Sequence, residues 1–379
     1  MSHLVSVVPT SLDIEFYARI VYRLAMMRKL ISAADQIASI GYQANPDIDA
    51  SLDKSEDILY ALRHGKSPRD FVHIRQILDK YFEPQPEAEG ELKPSEMTHV
   101  PSGFLGLDDL LGGFQRSDLI VVAGRPSMGK TSLALNIARN AAIEHNACVA
   151  MFSLEMSRES LVERLVASEA TVNSRKIRLG SETHEEEKRV LDAIGILSEA
   201  PIYIDDSPQI RVIEMRSKAK RLHFEHNINL IIIDHLGLIT GDTRTDNRVQ
   251  EISYITRSLK VLAREMNVPV IVVSQLSRAS EWRASHKPQL SDLRDSGSIE
   301  QDADVVVFVY RDEYYYDEES WIKEHPNEEY PAGLADLIIA KHRNGPTGEI
   351  KVHFRHDLAK FENIAIDPST PIVSGPNLL

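Results

Sequence analysis

Apolar residues follow two different rhythms along this chain. From Ser11 to about Ile40, the residues Ile14, Tyr17, Ile20, Val21, Leu24, Leu30, Ile31, Ala34 and Ile37 recur at helical spacing with basic residues between them, which predicts one helix or a helical pair. Pro46 and the acidic run Asp47 to Asp57 open a second helical segment, with Leu52, Ile58, Leu59 and Leu62 on its apolar side and Gly65 as its stop. A short amphipathic stripe follows at Phe71, Ile74, Ile77, Leu78 and Tyr81. Either it packs on a small core of its own, or, since little precedes it to bury that face, it docks on another domain or another subunit.

The second rhythm begins after Glu83-Pro-Gln-Pro-Glu-Ala-Glu-Gly90, whose proline and charge content marks a linker. Short continuous apolar runs then alternate with helical stretches. The runs are Leu119 to Ala123, Val149 to Leu154, Ile202 to Ile204, Leu230 to Asp234, Val268 to Ser274 and Asp304 to Tyr310. Such alternation predicts an α/β domain around a mostly parallel central sheet. Leu337-Ile-Ile-Ala340 and Glu349 to Phe354, joined by Asn344-Gly-Pro-Thr-Gly348, predict a terminal β-hairpin with a longer loop, and the Pro-rich end from Asp367 predicts a disordered tail. The expected organisation is a helical segment at 1–64, a linker with a docking helix at 65–96, the α/β domain at 97–365 and the tail at 366–379.

Chemistry enters at the first of these strands. Gly124-Arg-Pro-Ser-Met-Gly-Lys-Thr131 fits the G-x-x-x-x-G-K-[ST] phosphate loop, lying between Leu119-Ile-Val-Val-Ala123 and the helix-forming Leu133 to Ala142. Gly124 and Gly129 let the backbone curl, and Arg125, Pro126, Ser127 and Met128 supply N–H groups or spacing around a phosphate. Lys130 reaches the β/γ-phosphates of ATP, and Thr131 offers its hydroxyl to Mg²⁺, which relies on phosphate oxygens and water for the rest of its coordination.

Three other strand ends carry polar groups. Asp234 closes Asn229-Leu-Ile-Ile-Ile-Asp234 and either approaches Mg²⁺ through water or caps a turn. Glu155 follows the next strand after the phosphate loop and either activates the attacking water or favours the dipole of the helix after Ser157. Gln275 either senses the γ-phosphate or is a plain loop amide. Between Ser277 and Gln301 a long polar loop carries Arg278, Arg283, Lys287 and Arg294; it is either solvated or tracks a phosphate backbone without reading bases. Lys341 and Arg343, two apart on a strand, project to one face and suit a triphosphate, their own or a neighbour's.

Composition narrows the class. A net charge of −14 over 379 residues argues against a surface that coats nucleic acid, while leaving room for a basic channel lining. The single cysteine, Cys148, sits in an apolar run, so no intramolecular disulfide framework forms and a reducing cytoplasm is expected. No apolar stretch approaches a membrane span, no signal-peptide pattern opens the chain, and the 14 histidines show no zinc-like pairing.

Taken in order, these blocks resemble the DnaB family of replicative hexameric DNA helicases, whose motor is a RecA-like P-loop NTPase domain. The resemblance runs from about Pro9 to Phe361 and is most specific at Ala123 to Thr131, Phe152-Ser-Leu-Glu-Met156, Ser274-Gln-Leu-Ser-Arg278, Ser291 to Asp304 and Ala340-Lys-His-Arg-Asn-Gly-Pro-Thr-Gly348. It implies an ATP-driven ring that translocates 5′ to 3′ on single-stranded DNA and unwinds a forked duplex. Glu155 becomes the catalytic glutamate, Asp234 the Mg²⁺-associated carboxylate and Gln275 the γ-phosphate sensor. Lys341 and Arg343 become the finger pair across a homo-hexamer interface, Arg294, Asp295 and Gly297 the contact to single-stranded DNA, and Phe71 to Phe82 the linker helix that docks on the adjacent subunit.

Two departures stand out. The family usually has Tyr-Leu-Gln after the aspartate of the Mg²⁺ site, whereas this chain reads Asp234-His-Leu-Gly237, which weakens any role carried over to Gly237. Residues 1–64 match only the last part of the family's helical N-terminal domain, through which primase and helicase-loader contacts are made. The competing expectations are a filament-forming RecA-like recombination or repair ATPase and a regulatory RecA-fold ATPase that binds protein partners.

Overall fold

The computed structural model describes residues 14–43, 46, 48–64, 74, 97–241, 247–283, 285–293 and 297–364. The chain divides into two compact units, Met1–Glu89 and Gly90–Leu379. In the first, α1 (Ile14–Tyr42) is one continuous 29-residue helix and not a pair. Its sequence holds no proline, and its only glycine, Gly41, lies in the last turn, so nothing interrupts the hydrogen-bond ladder. The helix α2 (Ile48–His64) packs against it. Val21, Tyr22, Leu24, Met27, Leu30 and Ile31 of α1 remain exposed. The expected docking stripe from Phe71 to Phe82, the linker at Glu83 to Gly90 and the tail at 366–379 lie outside the described residues, Ile74 excepted.

The second unit opens with β1 (His99–Val100), α3 (Leu105–Leu111) and β2 (Phe114–Gln115), where β1 and β2 pair antiparallel. Then come β3 (Leu119–Gly124), α4 (Lys130–His145), β4 (Val149–Ser153), α5 (Arg158–Ala170), α6 (Ser174–Leu179), α7 (His184–Glu199), β5 (Ile202–Asp205), α8 (Val212–His226), β6 (Leu230–Asp234), α9 (Arg248–Met266), β7 (Val270–Gln275), α10 (Gly297–Asp302) and β8 (Val305–Tyr310). After α11 (Glu318–Glu324), the strands β9 (Leu334–His342), β10 (Gly348–Arg355) and β11 (Lys360–Asn363) complete a nine-stranded sheet of order β11-β10-β9-β8-β3-β7-β6-β4-β5.

The six strands from β8 to β5 in that order are parallel to one another, and β9, β10 and β11 continue the sheet antiparallel. Parallel strands need both faces covered, and their continuous apolar runs provide for it. Ile120, Val122, Ile232, Ile271 and Val273 point into one layer with Leu133, Ile137 and Ala141 of α4. Leu119, Val121, Ile231, Ile233 and Val272 point into the other, with Met215 of α8 and Ile255, Leu259 and Leu262 of α9. Burying each such large aliphatic side chain contributes roughly 1.5–3 kcal/mol. This two-sided burial fixes β3 at mid-sheet, flanked by β7 and β8.

Candidate active site

The phosphate loop occupies the carboxyl end of β3, where an open α/β sheet binds its ligands. Gly124 has no room for a side chain, because a Cβ there would lie 2.8 Å from the Val309 carbonyl oxygen. Gly129 caps α4 at φ +96°, and a Cβ would meet the rings of Phe361 and Phe354 at 3.0–3.2 Å. The loop is thus pinched between β8 on one side and β10 and β11 on the other. That leaves the first N–H groups of α4 aimed outward, a ready anion site.

Neighbouring strand ends converge on it. Gln275 is the register partner of Gly124, and Asp234 is the partner of both Val273 and Ser153, so the ends of β3, β7, β6 and β4 form one rim. Thr131 donates its hydroxyl to Asp234 Oδ2 at 2.6 Å, and the Lys130 ammonium donates to the Arg125 carbonyl at 2.9 Å. Burial pushes Lys130 down to about 8, against the pull of Asp234 and Glu155. Burial raises the Asp234 carboxyl, opposed by the Thr131 hydrogen bond. Gly129, Lys130, Thr131, Glu155, Asp234 and Gln275 all line one cleft of about 490 Å³. Glu155 stands two residues beyond β4, its side chain 56% exposed; Ser157, not Glu155, caps α5.

Three further residues belong to this site. Arg164 of α5 lines the cleft and feels both Asp234 and Glu155, with burial lowering its guanidinium. The signal for it was present: it lies three residues after Leu161 and one before Leu165, on the buried side of an amphipathic helix. Arg311, just past β8, is a buried cation that donates to the Ser127 carbonyl at 3.2 Å, pairs with Glu313 and lies 4.5 Å over the Phe354 ring. It too follows a buried strand, as Asp234 and Gln275 do. His235 also lines the cleft, with burial lowering its imidazole below the usual histidine value against the pull of Asp234 and Glu155.

The long polar loop is less available than its charge suggests. Arg283 is paired with the buried Asp292 of the same loop, and Lys287 with Glu349 of β10 at 2.8 Å, so one cation braces the loop internally and the other ties it to the sheet. Arg278 is exposed. Arg294 and Asp295 lie outside the described residues, and Gly297 opens α10 at the surface.

Lys341 and Arg343, at the end of β9, lie at the opposite end of the parallel strands. Lys341 donates to the Glu300 and Ala303 carbonyls, and Arg343 to Asp304 Oδ1 at 3.1 Å and the Gln301 carbonyl at 3.1 Å. Asp304 in turn accepts from the Leu119 N–H at 2.8 Å, at the foot of β3. From Leu119 to Gly124 is five strand steps, roughly 17 Å. Within one subunit the pair therefore does not meet the phosphate loop.

Among the described residues no cluster of three or more His, Cys, Asp or Glu is placed to hold a metal, and no helix is long and apolar enough to cross a membrane. A parallel sheet with a phosphate loop on its central strand, a carboxylate on β6 and a second carboxylate beyond β4 defines a P-loop NTPase of the RecA-like class. The family model described as DnaB-like helicase C terminal domain matches residues 99–363, so the chain belongs to the DnaB-like helicases. It is 45% identical over 365 residues to "Replicative DNA helicase DnaB" of Geobacillus stearothermophilus, covering 96% of this chain and 78% of that protein. It is 44% identical to "Replicative DNA helicase DnaC" of Bacillus subtilis, covering 94% of this chain and 76% of that protein. A solved structure described as "The Structure Of A DnaB-Like Replicative Helicase And Its Interactions With Primase" superposes with a TM-score of 0.71 at 30% identity, over 96% of this chain and 82% of that one.

Proposed function

We propose that this chain is an ATP-driven replicative DNA helicase of the cytoplasm that assembles as a hexameric ring, moves 5′ to 3′ on single-stranded DNA and unwinds a forked duplex. The observation that supports this reading is that the phosphate loop, Glu155 and Gln275 gather at the carboxyl ends of the parallel strands, whereas Lys341 and Arg343 lie at their amino ends, out of reach within one chain. Membership of the DnaB-like family favours it over a strand-pairing recombinase or a regulatory ATPase. Residues 97–365 act as the motor, 1–64 as a helical segment, 65–96 as a linker whose helix docks on the next subunit and 366–379 as a tail. Primase and helicase-loader contacts are not assigned to this chain, whose residues 1–64 match only the last part of the helical domain through which the family makes them; the primase interaction is named for the related structure.

The residues divide the chemistry between them. Loop N–H groups from Gly124 to Thr131 hold the phosphates, and Lys130 neutralises the β/γ-oxygens. The Thr131 hydroxyl and the Asp234 carboxylate, already 2.6 Å apart, form a hard-oxygen pair suited to Mg²⁺. That ion, when bound, screens the charge that develops on the phosphate oxygens. Glu155 accepts the proton of the attacking water, Gln275 reports the γ-phosphate to the loop that begins at Leu276, and Arg164 supplies positive charge from within the subunit. Lys341 and Arg343 complete the neighbour's site. Arg294, Asp295 and Gly297 contact the DNA backbone.

Forked substrates with a single 5′ or a single 3′ tail, combined with native mass measured in ATP, test the whole reading. Unwinding of the 5′-tailed fork by a six-subunit species is expected. A monomer whose ATPase ignores single-stranded DNA would sink it.

A further inference from the structure

His235 stands where two clefts meet. It lines the nucleotide cleft beside Glu155 and Asp234, and together with Gln275 it also lines a neighbouring cleft of about 320 Å³ walled by Gly237, Arg248, Ser274 and Ile299. Its Nδ1 is buried without a hydrogen-bond partner and lies 3.9 Å from Glu155 Oε2. Among the described residues Glu155 has no hydrogen bond of its own, so its half-exposed carboxylate is free to swing. On the other side of the imidazole, Nε2 sits close over Gly237, where an added Cβ would lie 3.0 Å from it. The Gly237 carbonyl is itself held by Arg248 Nη2 at 2.7 Å, at the first residue of α9.

A buried imidazole nitrogen without a partner is costly and calls for an explanation. At 3.9 Å the Glu155 carboxylate is about 1 Å farther than a typical N–H···O separation, a gap of the kind that closes when a catalytic site fills. The position also falls where the chain reads His-Leu-Gly and the family usually reads Tyr-Leu-Gln: the small Gly237 is what lets the ring sit against the backbone with Nδ1 facing Glu155.

We propose that His235 is a positioning residue for Glu155, its Nδ1–H taking the carboxylate as the nucleotide binds and aiming it at the attacking water. The inference rests on Glu155 being the general base.

The experiment is single-stranded-DNA-stimulated ATPase of the assembled full chain for His235→Ala, His235→Asn, His235→Gln, Glu155→Gln and the double variant Glu155→Gln with His235→Ala. Thermal melting and native mass serve as folding controls. His235→Ala should lower kcat about 10- to 100-fold, the scale of a misplaced reacting group, with KM for ATP within about twofold. Asparagine places an amide nitrogen where Nδ1 stands and should recover most of the lost turnover, whereas glutamine, which reaches the Nε2 position, should not. In the Glu155→Gln background His235→Ala should add no further loss. Unchanged kcat in a folded His235→Ala hexamer, recovery by glutamine but not asparagine, or additive losses in the double variant overturns the proposal. Turnover surviving in Glu155→Gln alone removes the base assignment instead, and the positioning role with it.

Discussion

A carboxylate that only accepts a proton can be replaced by an amide of the same shape without emptying its site. Glu155→Gln should therefore bind ATP as tightly as the parent chain and hydrolyse it about 10²- to 10⁴-fold more slowly, the range of a positioned base. Binding of a fluorescent ATP analogue measured beside single-turnover hydrolysis checks it, and equal loss of both would assign Glu155 to structure. At this scale much of the site was legible in the sequence. Gly124, Asp234 and Gln275 declare themselves because each closes a buried apolar run, Lys130 and Thr131 because of the phosphate-loop spacing, and the sheet carries these strand ends to one rim. Arg311 obeys the same rule but was not singled out. What no spacing could show is the partner of each cation: Arg283 and Lys287 read as free positive charge until Asp292 and Glu349 are found beside them.

Elements carry the next set of consequences. At the foot of β3, Asp118 shares Lys260 with Asp304 and also faces His342 and Arg343; burial and the Asp304 charge raise it to about 6. A raised carboxyl is protonated in the folded chain while still ionised in the unfolded one. Its contribution to stability is therefore largest at low pH, is lost as pH climbs from about 4 to 6, and leaves a constant penalty of about 2–3 kcal/mol above that. Asp118→Asn should raise the urea midpoint at pH 8 and give no advantage at pH 4. At the other end of the same strand, Arg125 of the phosphate loop donates to Glu281 at 2.8 Å and to the Leu276 carbonyl at 2.9 Å, tying the nucleotide to the loop after β7. A partly exposed pair of this kind is worth under about 1 kcal/mol to the fold. Glu281→Ala should thus melt like the parent yet lose most of its stimulation by single-stranded DNA, as read from ATPase with and without an oligonucleotide. The long strands were readable because continuous Val and Ile runs admit no other packing. Two-residue β1 and β2 and four-residue β11 were not, since pairing alone makes strands of them.

For the whole molecule, the separation of Arg343 from Gly124 by the height of the sheet makes a definite demand. Arg343→Ala should bind nucleotide but be nearly inactive, given that an arginine supplied by a neighbour is worth about 10³–10⁵ in turnover where measured. Mixed with Glu155→Gln under demonstrated subunit exchange, it should regain partial ATPase, because some interfaces then join an intact base to an intact finger. Absence of recovery would place Arg343 in its own subunit's service. The fold class was visible in the alternation of strands and helices, yet the placement of Arg343 at the opposite end of the strands emerges only once β9 is seen to run against β8.

That antiparallel turn also gives the assembly a direction. A surface that offers a socket on one edge and a plug on the other mates only head to tail, never face to face about a two-fold axis. On the proposed division of the site, two copies would make one working site, an open arc of any length would leave one socket idle, and only closure of the circle would bring every site into use. Turnover per subunit should accordingly climb with protein concentration until rings close and then level off.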